Sequence, residues 1–128
     1  MYNVIVADDE KNIREGIVEL IEWEKLGCKV CASMQNGAQV LKYLEEEKIH
    51  VDIIITDIKM PIMDGMELIG MLNERFPDIK VIILTAYSDF TYPACFALEK
   101  GDLFLSAHTF FCIHFTLLNY FFHCSRQF

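Results

Sequence analysis

The stretch Val51-Asp52-Ile53-Ile54-Ile55-Thr56-Asp57, continued by Ile58-Lys59-Met60-Pro61-Ile62-Met63-Asp64-Gly65, decides the fold. Three consecutive Ile in so short a run predict a strand buried on both faces, as in the middle of a parallel sheet. The strand stops at a carboxylate, Asp57. Beyond the loop, Asp64 reads as a helix N-cap, Leu68, Ile69, Leu72 and Phe76 give that helix its inner face, and Phe76-Pro77-Asp78 ends it. The same unit recurs on either side. Tyr2-Asn3-Val4-Ile5-Val6-Ala7 predicts a strand that runs into Asp8-Asp9-Glu10, and Lys80-Val81-Ile82-Ile83-Leu84 predicts one that runs into Thr85. Lys29-Val30-Cys31-Ala32-Ser33-Met34 is a further strand candidate. Between these strands, Ile13, Ile17, Leu20 and Ile21 form one apolar stripe closed by Gly27. Ala38, Leu41 and Leu44 form another after the Asn36-Gly37 turn, with Glu45-Glu46-Glu47 as a solvated end. The alternation βαβαβαβ predicts a doubly wound parallel α/β sheet with helices on both faces, because parallel neighbours need right-handed crossovers.

The 128 residues, 53% hydrophobic, make one domain able to build its core without disulfides or a structural metal. A net charge of −8 and the lack of any basic run argue against direct nucleic-acid binding. No signal peptide opens the chain, so a cytoplasmic location with reduced cysteines is expected. Cys28 and Cys31 form a CxxC, but no second pair and no His set completes a zinc site, and structural thiols are the preferred reading. The single Trp, Trp23, reads as an aromatic closing the first helix against a loop.

Ligands of open parallel sheets bind outside the carboxyl ends of the strands, where the strand order reverses. Asp8, Asp9 and Glu10 arrive there from the first strand, Asp57 from the third and Thr85 from the fourth. Acids at strand ends often only cap the next helix. Several from separate strands on one edge point instead to a hard, oxygen-seeking cation, and Mg²⁺ is the economical choice. Asp57, alone after the most apolar strand, is then placed to act as a nucleophile toward a phosphoryl group, with the Thr85 hydroxyl as a hydrogen-bond donor to a phosphoryl oxygen.

In order along the chain, Val6-Ala7-Asp8-Asp9-Glu10, Ile55-Thr56-Asp57-Ile58-Lys59-Met60-Pro61-Ile62-Met63-Asp64-Gly65 and Ile83-Leu84-Thr85-Ala86 resemble the receiver domain of bacterial two-component response regulators. The resemblance implies a flavodoxin-like fold of five parallel strands. It implies Asp8 and Asp9 as the acidic pair for Mg²⁺, Asp57 as phosphoacceptor and third metal ligand, the Lys59 carbonyl as a further ligand and Thr85 as the switch hydroxyl. A sensor histidine kinase is the implied phosphodonor, a homodimer is a candidate assembly, and the chain is a phosphoacceptor rather than an enzyme acting on metabolites. Ile21-Glu22-Trp23-Glu24-Lys25-Leu26-Gly27 and Thr85-Ala86-Tyr87-Ser88-Asp89-Phe90-Thr91-Tyr92 resemble receivers that carry an AraC-type helix-turn-helix output, which implies a role in transcription regulation. An aspartate-nucleophile phosphohydrolase is the enzymatic rival; its general acid, two residues past the nucleophile, is here replaced by Lys59. A membrane-tethered or protein-binding pseudo-receiver that carries no phosphate is a third reading.

The pattern weakens after Tyr92. Ala97-Leu98-Glu99-Lys100-Gly101 suits a helix end, Asp102-Leu103-Phe104-Leu105-Ser106 suits a last strand, and Phe104 is the candidate aromatic switch. Ala107-His108, however, stands where the family has Lys-Pro, and Pro93 falls at the expected start of the fourth helix. Composition divides the chain into a body, 1–102, with all 19 acidic residues, and an apolar tail, 103–128, with seven of the ten Phe and Arg126 as its one charged side chain. That tail reads as a replacement helix, as a membrane span over 103–122, or as the product of a reading-frame change near Tyr92–Gly101 that severs the receiver from its output domain. The last is preferred, because composition, motif and charge break together. A metal site from His108, His114, His123, Cys112 and Cys124 has no usual spacing.

Overall fold

The structure, a computed structural model, describes residues 1–85 and 103–106, with strand backbone alone for 84–85 and 103–106. The elements run β1 (Tyr2–Ala7), α1 (Lys11–Leu20), a 3₁₀ turn (Trp23–Leu26), β2 (Cys28–Met34), α2 (Gly37–Glu46), β3 (Ile53–Asp57), α3 (Gly65–Arg75), β4 (Lys80–Thr85) and β5 (Leu103–Ser106). All neighbouring strands pair in parallel, in the order β2-β1-β3-β4-β5. The order reverses between β1 and β3. Leu103–Ser106, the opening of the segment set apart by composition, is the last of the described strands, with Phe104 in register with Ile83.

Strand pleating sorts the apolar runs onto two faces. Val4, Val6, Ile53, Ile55 and Ile82 point to one side and pack with Ile17, Ile21 and Trp23 from the α1 region. Ile5, Ala7, Ile54, Val81 and Ile83 point to the other, against Val40 and Leu41 of α2 and Leu68, Ile69 and Leu72 of α3. Burial of each such Ile or Leu contributes about 1.5–3 kcal/mol, which explains why the strands carry no polar alternation. The helices thus lie on both faces, as the alternation predicts.

Details differ from the sequence pattern at the first helix. Leu20, expected in the inner stripe, is 65% exposed, while Ile21 is buried. The helix ends at Leu20 and Ile21 turns extended, so the 3.6-residue phase no longer applies to it. The chain then makes the 3₁₀ turn, where Trp23 is buried and its Nε1–H donates to the Val18 carbonyl at 3.2 Å. Gly27 ends that turn at φ +70°, a conformation glycine adopts without strain. In α2 the buried positions are Gly37, Val40 and Leu41, with Ala38 and Leu44 half-buried.

Cys28 and Cys31 are both free thiols. Cys28 packs on the α1 side and Cys31 on the α2/α3 side. Val4 pairs with Val30 and Ile5 with Ala32, so Cys31 is the extra residue of a β-bulge in this edge strand. Burial pushes the Cys28 thiol up to about 11, the state of an inert structural thiol.

The expected fourth helix with Pro93, the Ala97–Gly101 helix end, the Ala107-His108 position and the tail from 107 to 128, with its His and Cys, lie outside the described residues. No described helix is long and apolar enough to cross a membrane.

Candidate functional site

The reversal of strand order leaves a crevice at the carboxyl ends of β1 and β3. Ala7 is in register with Thr56, so Asp8, the next residue of the chain, stands beside Asp57 across the two strand ends. Asp57 itself pairs with Leu84, which puts Thr85 one residue beyond it at the end of β4, in register with Ser106. One carboxylate oxygen from each of Asp8, Asp9 and Asp57 lies within 4.8 Å of the others. The sequence-predicted acids therefore meet, and the backbone brings Thr85 to the same edge.

None of the three acids serves as a helix cap. Glu10 occupies the N-cap of α1 and makes no side-chain cap bond. Asp8 Oδ1 accepts from the Glu10 N–H at 2.9 Å, and Asp57 Oδ1 accepts from the Ile58 N–H at 2.7 Å, both within their own loops. True caps occur elsewhere: Asp64 Oδ1 accepts from Glu67 N–H at the start of α3, and Asn36 Oδ1 from Gln39 N–H at the start of α2.

The electrostatics are unfavourable as they stand. Asp8 is 4% exposed, and its carboxyl is raised from 3.8 to about 6, chiefly by burial. The Glu10 N–H opposes this, while the charges of Asp57, Asp9 and Glu10 all push it further up. Asp57 is also raised, first by burial and then by Asp9 and Glu10, against lowering hydrogen bonds from the Ile58 and Lys59 N–H groups. Three carboxylate oxygens, joined by no nitrogen or sulfur donor among the described residues, fit a hard divalent cation, and the mutual repulsion is what such an ion relieves.

The loop after Asp57 is fastened at both ends. The Gly65 N–H donates to the Ile58 carbonyl at 2.7 Å, and the Gly37 N–H, from the start of α2, donates to the Met63 carbonyl at 3.0 Å. A Cβ on Gly65 would lie 2.1 Å from the Asp57 carbonyl oxygen, so glycine is required for this approach. Between the fastenings, Met63 N–H bonds to the Pro61 carbonyl at 2.7 Å around Ile62, whose φ is +68°. That is the φ of a strained γ-turn, held by a β-branched residue that is 83% exposed.

Two contributors escaped the sequence reading. Thr56 is fully buried and its hydroxyl donates to the Asp57 carbonyl at 2.9 Å. Arg14 reaches from α1 to the Asp8 carbonyl, with Nη1 donating at 2.7 Å. A polar residue in an apolar strand and a basic residue one turn into an otherwise ordinary helix were the available signals.

Residues 4–103 match the sequence profile of the response regulator receiver domain. The chain belongs to this family. It is a receiver domain of the two-component response regulator kind, a family whose members are phosphoacceptors. Over 92 residues, 72% of the chain, the receiver is 39% identical to the transcriptional regulatory protein YesN of Bacillus subtilis and 33% identical to the transcriptional regulatory protein HptR of Staphylococcus aureus. It spans 24% and 35% of the length of those two proteins. Among solved structures, the receiver domain of AraT, a response regulator from Geobacillus stearothermophilus, matches with a TM-score of 0.82 and 31% identity over 98% of this chain and 96% of that one. The response regulator TrrA of Thermotoga maritima, in complex with Mg²⁺ and BeF, matches with a TM-score of 0.75 and 29% identity over 94% and 99%.

Proposed function

We propose that Asp57 accepts a phosphoryl group from a sensor histidine kinase in a Mg²⁺-dependent reaction, within a cytoplasmic regulator of transcription. The observation that carries this is the meeting of Asp8, Asp9 and Asp57 at the carboxyl edge of the sheet. Those carboxylates, with the Lys59 carbonyl, would hold the metal. Bound Mg²⁺ would neutralise the acids and offer a coordination position to a phosphoryl oxygen. An Asp57 oxygen forms the new O–P bond as the N–P bond of the donor phosphohistidine breaks, and the electron pair returns to the imidazole, leaving an acyl phosphate on the receiver. Thr56 fixes the Asp57 main chain from beneath, and the Ile58 N–H orients the carboxylate. Thr85 is the switch hydroxyl of the proposal and Phe104 its aromatic partner, on the neighbouring strands β4 and β5, with Phe104 in register with Ile83 two residues before Thr85. The transcriptional output rests on the likeness to YesN and HptR, both named as transcriptional regulatory proteins.

Intact mass after incubation with acetyl phosphate tests the proposal. A phosphate adduct is expected with Mg²⁺, absent in EDTA and absent in Asp57→Asn. No Mg²⁺-dependent adduct, or one that persists in Asp57→Asn, contradicts the assignment.

A further inference from the structure

Asp9 is the exposed member of the carboxylate cluster, on a loop between the end of β1 and the start of α1. Its direction depends on the two peptide planes that flank it. Among the described residues, the plane between Asp9 and Glu10 is held by the bond from Glu10 N–H to Asp8 Oδ1. The plane between Asp8 and Asp9 is held by the bond from Arg14 Nη1 to the Asp8 carbonyl, at 2.7 Å. That bond is charge-assisted and part-buried.

We infer that Arg14 is a positioning residue for the metal site: its guanidinium clamps the Asp8–Asp9 peptide so that both carboxylates turn toward Asp57. This rests on the reading of the cluster as a Mg²⁺ site. The clamp has a signature that separates it from charge alone. Removal of a positive charge near an acidic cluster tightens cation binding through space. Loss of the clamp loosens it, so the two effects differ in sign.

The test is a Mg²⁺ titration of the whole chain, read as the rise in thermal midpoint with MgCl₂ concentration, for wild type, Arg14→Met and Arg14→Lys. Arg14→Met keeps the aliphatic stem without a donor, and its apparent dissociation constant for Mg²⁺ should rise about tenfold, the usual scale for loss of a group that orients a ligand. Arg14→Lys, which retains a charged donor, should recover most of that loss. Arg14→Gln is too short for the clamp, should behave like the Met variant, and carries the test if Arg14→Met does not fold. Equal or tighter Mg²⁺ binding in Arg14→Met or Arg14→Gln overturns the inference while wild-type binding stands. A wild type that Mg²⁺ does not stabilise overturns it together with the metal-site reading.

Discussion

Two aspartates bracket β3, and the fold treats them in opposite ways. Asp52, just before the strand, is knitted into the amino-terminal edge of the sheet. Its Oδ2 accepts from the Asn3 N–H at 2.8 Å, its Oδ1 stands 3.1 Å from His50 Nε2, and its main chain bonds to Asn3 and to Lys80. Asp57, at the other end of the same strand, meets two more carboxylates, and Asp8 among them is buried. Both acids accept main-chain hydrogen bonds, but Asp57, unlike Asp52, is held within reach of two further carboxylates. The contrast teaches where to look for function: a carboxylate that the fold fully satisfies is structural, and a cluster it leaves repelling marks a place for something that arrives from outside.

Substitutions at the two edges should therefore fail differently. The largest effect is expected at Gly65→Ala. Its Cβ would meet the Asp57 carbonyl at 2.1 Å, and because the obstacle is backbone, stability should fall by about 2–4 kcal/mol, measured by urea denaturation. The rate of the Mg²⁺-dependent adduct should fall with it. Asp52→Ala comes next. It strips the acceptor from a part-buried Asn3 N–H, so a loss of about 1–2 kcal/mol is expected in the same measurement, with the Mg²⁺ response unchanged. A Mg²⁺ response that vanishes in Asp52→Ala would erase the distinction between the edges. The smallest effect is expected at Ile62→Gly. Relief of the +68° backbone, with almost no buried surface lost, should raise stability by about 0.5–1 kcal/mol, whereas Ile62→Ala should not.

Much of this was legible in the chain. The double face of β3 follows from Ile53-Ile54-Ile55, since consecutive residues on a strand point to opposite sides and all are apolar. The convergence of Asp8 and Asp57 follows from two strands that end in acids on the same edge of a parallel sheet. At the end of α1 the periodic pattern holds only in part: Leu20, the last helical residue, is exposed, and Ile21, already extended beyond the helix, is the residue that is buried. The bulge at Cys31 depends on pairing with β1, which no local run of residues encodes. Arg14 was missed for a related reason: its bond to the Asp8 carbonyl spans six residues and depends on how the loop before α1 is folded, and Arg at that helix position is otherwise ordinary. The γ-turn at Ile62 runs against local preference, and fastenings at Ile58 and Met63 impose it.

The central claim is that the carboxylate cluster costs stability until a cation fills it, and Asp8 measures that cost. With its carboxyl raised to about 6, the native state holds a proton there that the unfolded chain, near 3.8, has already released. Stability should therefore fall as pH rises through about 4–6 and the full penalty should be present at pH 7. Asn at this position keeps the Oδ1 acceptor for Glu10 N–H without the charge. The deciding measurement is urea unfolding of wild type and Asp8→Asn at pH 7, in EDTA and in MgCl₂. The account predicts Asp8→Asn to be the more stable by about 1 kcal/mol in EDTA, and Mg²⁺ to raise wild type while leaving the variant nearly unmoved. A wild type at least as stable as Asp8→Asn in EDTA, and indifferent to Mg²⁺, would contradict it.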